Sequence, residues 1–211
     1  MEGRLLRDAA RPQVRAKAAL LVLVLVLGTA LSACSKSSAD TFSGAVLHQP
    51  YHVPATELTD TDGSPYSLAN STDKRLTLVF FGYTHCPDEC PTTMATLASA
   101  MLQLDDADRS NVQVVFVTTD PARDTGPVIR HWLDHFSSSF VGVTGSLDTI
   151  KKVATDVGVP IAKGRRLPSG GYDVSHGTQV LGVDGKDTVP VVWTLGTTAP
   201  EFAHDIHQLL N

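Results

Sequence analysis

The stretch Leu76 to Pro91 reads L-T-L-V-F-F-G-Y-T-H-C-P-D-E-C-P. Its first half, Leu76 to Tyr83, is a mostly apolar run of strand length, as expected of a central strand buried on both faces. Cys86 and Cys90 come directly after it. From Pro91 the apolar positions Met94, Leu97, Ala98, Met101 and Leu102 recur at helical spacing, with Pro91 in the permissive first turn. The cysteines thus stand at a strand-to-helix junction. Free backbone N–H groups and the positive dipole end there stabilise thiolate, the form that attacks disulfides and binds metal.

Moving toward the C-terminus, Val112 to Val117 reads as a second buried strand. A helix opens at Pro127 with Val128, Ile129, Trp132, Leu133 and Phe136 as its apolar stripe. Phe140 to Val143 is a short third strand. Ser146 is placed to cap a helix carrying Leu147, Ile150, Ala154 and Val157, and Gly158 to stop it. A Gly/Pro/Lys/Arg segment from Pro160 to Gly171 reads as a polar loop. Thr178 to Val183 and Val189 to Thr194 flank Asp184-Gly185 as an antiparallel hairpin, and Pro200 opens a last helix with Phe202, Ala203, Ile206 and Leu210 inward. Toward the N-terminus, Asp62-Gly63 is a turn signal, so Tyr51 to Leu68 reads as a strand and turn leading in. The order predicts an α/β sandwich with an antiparallel edge and no internal repeat.

With 211 residues, a hydrophobic fraction of 42% and a formal charge of −5, the chain suits one globular domain plus a targeting segment. No basic run in the globular part offers a grip for phosphates, which excludes nucleic acid as a partner. Arg4, Arg7, Arg11, Arg15 and Lys17 precede an apolar run from Ala18 to Leu31 that ends in L-S-A-C at Leu31 to Cys34. That layout reads as an export signal, and its end resembles the lipobox of bacterial lipoproteins. The resemblance implies that Cys34 carries a lipid and becomes the mature N-terminus. The expected organisation is a signal peptide over 1–33, a flexible tether over 34–43 and one domain over 44–211. The domain would then be lipid-anchored at the extracytoplasmic face of the bacterial cell membrane. In that oxidising compartment Cys86 and Cys90 form a disulfide, a redox pair or a metal site.

Residues four apart lie one above the other on a helical turn, where two sulfurs can converge on one ion. Two thiolates are too few for a closed structural zinc site, so a third ligand comes from elsewhere. Soft thiolates with an imidazole suit Cu(I) and also hold Cu(II). Spacing alone does not choose among the eight histidines.

Three motifs in order, F-G-Y-T-H-C-P-D-E-C-P at Phe81 to Pro91, D-P-A-R-D-T at Asp120 to Thr125 and Y-D-V-S-H-G at Tyr172 to Gly177, resemble the Sco/SenC family. The resemblance runs from about Leu58 to the last helix. It implies a thioredoxin-like α/β sandwich, a central mixed sheet with helices on both faces. It further implies copper bound by Cys86, Cys90 and His176, with delivery to the dinuclear centre of cytochrome c oxidase subunit II or reduction of that subunit's cysteines. Other copper chaperones and a thiol reductase are further partners it suggests. Where the family commonly reads Tyr-x-Val-Asp-His-Ser, this chain has Ser175 and Gly177 around the histidine. An Asp that could steer the imidazole is missing, and such outer partners change metal affinity roughly 10- to 100-fold.

Ordinary explanations compete at several positions. His85 is an alternative ligand, although a neighbour of a cysteine usually points away from it. Asp120 and Asp124 either surround the metal ligands as a second layer or simply start a turn into a helix. Arg123 pairs with one of them or stays solvated. His204 and His207 read as surface residues, and Met94 and Met101 as core. Two functions remain: a metallochaperone, which needs exposure rather than turnover, and a thiol-disulfide reductase, which needs no histidine. A peroxide-reducing thiol protein is disfavoured, because the Cys86 segment lacks the expected pattern.

Overall fold

A computed structural model describes residues 42–166 and 172–211. Its centre is β4 (Leu76–Gly82), buried at every position. β5 (Val112–Thr118) runs parallel to it from Leu76↔Val112 to Gly82↔Thr118, and β6 (Val141–Thr144) runs parallel to β5. The hairpin of β9 (Val180–Asp184) and β10 (Thr188–Trp193) lies antiparallel on the other side of β4. With β1 (Ala45–His52), β2 (Leu58–Asp60) and β3 (Pro65–Tyr66) at the margins, the sheet order is β1-β10-β9-β4-β5-β6-β2-β3.

Handedness sets where the helices go. The connections from β4 to β5 and from β5 to β6 step in the same direction along the sheet. Two right-handed crossovers therefore put α1 (Glu89–Gln103) and α3 (Gly126–Leu133) on one face. The short α2 (Asp106–Ser110) comes after α1. α5 (Ala199–Leu210) joins the α1 face through Phe202, Ile206 and Leu210. α4 (Leu147–Asp156) covers the opposite face with Ile150, Val153 and Ala154. Alternation along β4 serves both layers: Leu78 and Phe80 enter the α1 side, Val79 and Phe81 the α4 side. The chain is thus a mixed α/β sandwich of thioredoxin type, as expected.

Capping signals act where the sequence placed them. The Ser146 side chain accepts from the Thr149 amide at 3.1 Å, and Gly158 ends the helix with φ +76°. At the opposite corner the buried Asp205 carboxylate accepts from the amides of Ser43 and Gly44 and from Trp193 Nε1 at 2.7 Å. It ties the entry of β1 to β10 and α5.

Three expectations are corrected. The segment Tyr51 to Leu68 is not one strand and a turn: Tyr51 and His52 close β1, an edge strand, and the Asp62-Gly63 turn joins β2 to β3. The expected loop from Pro160 contains β7 (Ile161–Arg166), which pairs antiparallel with β8 (Tyr172–His176) in a separate two-stranded sheet. Residues 167–171 lie outside the described residues. Finally, Leu102, Val128 and Leu147 are exposed rather than inward; Leu102 and Val128 each sit about 100° around their helix from a neighbour that packs on the core, Met101 and Ile129.

Candidate metal centre

The backbone positions the two cysteines before any side chain acts. β4 ends at Gly82, and a tight turn carries the Cys86 amide to 3.2 Å from the Tyr83 carbonyl. α1 then begins at Glu89. Its N-cap Asp88 makes no side-chain capping bond. The Cys86 sulfur takes that role instead, accepting from the Cys90 amide at 3.4 Å. A helix N-terminus leaves such amides unsatisfied, and a sulfur receiving one is stabilised as thiolate. Pro91, without an N–H, removes another orphan donor from the same turn.

The two sulfurs differ in surroundings. Cys86 is half-buried and Cys90 is buried completely. The hydrogen bond to Cys86 and burial push the Cys90 thiol far above the ordinary range, so it keeps its proton, while the Tyr83 backbone opposes this only in part. Gly82 lies against this sulfur: a Cβ there would stand 3.1 Å from Cys90 Sγ and under 3 Å from the Phe80 and Phe116 rings.

The D-P-A-R-D-T motif packs beside the thiol turn. Asp124 is fully buried, and its carboxylate accepts from Thr84 N–H at 2.9 Å, Thr84 Oγ1 at 2.6 Å and Thr118 Oγ1 at 2.7 Å. His85 Nδ1 lies 3.5 Å from its other side. Asp124 therefore clamps the residues just before Cys86. Asp120 is also buried; its carbonyl accepts from the Arg123 and Asp124 amides, and its carboxylate binds the Arg123 guanidinium. Arg123 further lies 5.8 Å from the centre of the Tyr83 ring. Asp120 starts the turn into α3, and Asp124 braces the thiol loop from the same turn.

β8 ends at His176, opposite Ile161, and the chain then enters β9, whose Val180 pairs with Phe80 of β4. Entry into β9 thus occurs at the end of β4 that delivers Cys86. The imidazole of His176 lies outside the described side chains, and Cys34 lies outside the described residues. Met94 is fully buried and Met101 packs against the same cluster, as core residues. His204 is exposed beside Gln208, and exposed His207 meets Asp108 at 2.5 Å. Among the described residues no helix is long and apolar enough to cross a membrane. Sequence reasoning missed the clamp on Thr84, because nothing in its spacing marks a threonine as partner to a carboxylate forty residues on.

An α/β sandwich with a half-exposed thiol at the N-terminus of its first helix defines a thioredoxin-like dithiol protein. A family profile described as SCO1/SenC matches residues 47–211. The chain belongs to the SCO1/SenC family. A Thermus thermophilus Sco1 solution structure in the apo form is 31% identical, with a TM-score of 0.72, covering 82% of this chain and 99% of that one. Bradyrhizobium japonicum ScoI, solved with copper bound, is 29% identical with a TM-score of 0.65, covering 76% of this chain and 98% of that one. A protein named as copper-binding from Stutzerimonas stutzeri is 33% identical over 136 residues, which is 64% of this chain and 66% of that protein. Against the mitochondrial SCO2 protein of Saccharomyces cerevisiae the match is 36% identical and spans 56% of this chain and 40% of the relative. The matches thus cover less than two thirds of these curated relatives.

Proposed function

We propose that this chain is a copper metallochaperone that binds one copper through Cys86, Cys90 and His176 and delivers it to the dinuclear centre of cytochrome c oxidase subunit II. A lipid on Cys34 holds it at the extracytoplasmic face of the bacterial cell membrane. The observation that carries the reading is the accessible Cys86 sulfur, one helical turn from Cys90 and already receiving the Cys90 amide. Two soft donors in one turn suit copper, and the copper-containing relative supports the choice of cargo. The family resemblance supplies the recipient. Copper is the cargo here: a site with few ligands and one half-buried sulfur at the surface releases it by ligand exchange to a partner whose own site is more complete.

The unequal thiols favour a second reading, thiol-disulfide reduction. The Cys86 thiolate attacks a partner disulfide and releases one partner thiolate. Cys90 then loses its proton and displaces the second partner sulfur. The partner is reduced and a Cys86–Cys90 disulfide is formed.

The deciding experiment mixes the copper-loaded chain with a subunit II fragment whose cysteines are already reduced. Arrival of copper in the fragment supports delivery. If copper stays behind, while His176→Ala still reduces a disulfide-bonded fragment at the wild-type rate, the chain is a reductase.

A further inference from the structure

Where α2 meets the last turn of α5, two carboxylates and an imidazole converge from two elements. We infer that Asp105, Asp108 and His207 form a divalent-cation site, separate from the thiols, that takes Zn(II) and clips α5 to α2. The whole of α1, roughly 22 Å of helix, lies in the chain between the thiol turn and this corner.

One ligand atom from each of the three residues lies within 4.8 Å of the other two. His207 Nδ1 already meets an Asp108 carboxylate oxygen at 2.5 Å. A tetrahedral ion about 2.0–2.1 Å from nitrogen and about 2.0–2.2 Å from oxygen sets its donors roughly 3.3 Å apart. The three atoms therefore bracket the separation that one ion requires. Asp105 and His207 are both exposed, so rotation of their side chains supplies the adjustment, and an ion can enter from solvent.

Charge points the same way. Asp105 caps α2 by accepting from the Asp108 amide at 2.8 Å, which fixes the turn that carries both carboxylates. Asp108 is only 7% exposed, and a buried carboxylate calls for a cation. Among the described residues no lysine or arginine pairs with either aspartate, since Arg109 turns to Asp106 and to the Leu104 carbonyl. Asn211, 3.4 Å from the other Asp108 oxygen, offers a neutral donor only. With no ion bound, a proton on His207 offsets one of the two negative charges. A divalent ion offsets both. Mixed nitrogen and oxygen donors from three side chains, with water in the fourth position, suit Zn(II). Calcium and magnesium favour shells of oxygen alone, and Cu(I) favours sulfur.

The site is tested in the full chain carrying Cys86→Ser and Cys90→Ser, so that thiols hold no zinc and the outcome is independent of the proposed copper site. Zn(II) is titrated by calorimetry, and its ligand shell is read by X-ray absorption at the zinc edge. One equivalent should bind through nitrogen and oxygen and raise the thermal unfolding temperature. Asp105→Asn keeps a good helix cap, and His207→Gln keeps a side-chain donor for Asp108, so both variants spare the local hydrogen bonds. Together they should weaken binding at least about tenfold, a loss that even the outer partners of metal ligands produce, and remove the thermal shift. His131→Gln with His135→Gln, another neighbouring histidine pair, should change neither. Binding that survives Asp105→Asn with His207→Gln, binding lost through His131 and His135, or no binding at all overturns the proposal. If the double serine variant fails to fold, Cys86→Ser alone serves as the background with the same outcomes, since Cys90 is buried.

Discussion

The Cys90 backbone N–H donates to the Cys86 sulfur across 3.4 Å, and this bond makes one thiol of the pair a helix cap and the other its buried neighbour. Reactivity should divide accordingly. Cys86 is accessible, whereas the Cys90 thiol is buried and pushed upward by the Cys86 bond and by desolvation. Iodoacetamide should alkylate Cys86 at least about tenfold faster than Cys90. A raised pKa keeps Cys90 protonated beyond the usual thiol range, so raising the pH should not close this gap until the fold is lost. Site-resolved mass spectrometry reads both rates; equal rates would refute the asymmetry.

Asp124 accepts three hydrogen bonds while fully buried. Asp124→Ala leaves those donors without their acceptor and should cost about 3 kcal/mol. Asp124→Asn keeps one accepting oxygen and should cost less. Urea denaturation checks the order, and copper titration of Asp124→Asn should show weaker binding because the Thr84–His85 segment is released. An Asp124→Ala variant as stable as wild type would show that the carboxylate clamps nothing.

Gly82 has no room for a methyl group between the Phe80 and Phe116 rings and the Cys90 sulfur. Gly82→Ala should destabilise the domain by about 1–3 kcal/mol. Because the added carbon presses on that sulfur, it should also speed alkylation of Cys90. Thermal unfolding and the alkylation assay measure the two effects in one variant.

His207 on α5 binds Asp108 of α2, and that bond and charge raise its pKa, with Asp105 adding in the same direction. The folded value is above the unfolded one, so the stabilisation is fully present below the unfolded pKa of about 6.5 and is lost as pH rises through the folded value. His207→Gln should therefore be less stable than wild type near pH 6, with the difference shrinking at alkaline pH. A difference that grows with pH would reverse the sign of the linkage.

The sequence made β4, α1 and the cysteine junction legible because an uninterrupted apolar run of that length suits a strand covered on both faces, while Pro91 and helical periodicity define the helix next to it. β1 was harder to read: Ala45 to His52 is almost wholly exposed, so it carries no burial pattern and is held by pairing with β10. β7 and β8 were hidden for a related reason, since Lys163, Gly164, Arg165 and Arg166 have the composition of a loop and, among the described residues, these strands form a sheet of two apart from the main one. At the site, ligand types were visible in the motifs. The Asp124 clamp was not, because it joins residues brought together by the crossover from β5 to α3.

X-ray absorption at the copper edge of the singly loaded chain tests the Cys86, Cys90 and His176 ligand set most directly. The expected shell is two sulfurs and one imidazole nitrogen, with the nitrogen lost in His176→Ala and a sulfur lost in Cys86→Ser. A wild-type shell that His176→Ala leaves unchanged would contradict it.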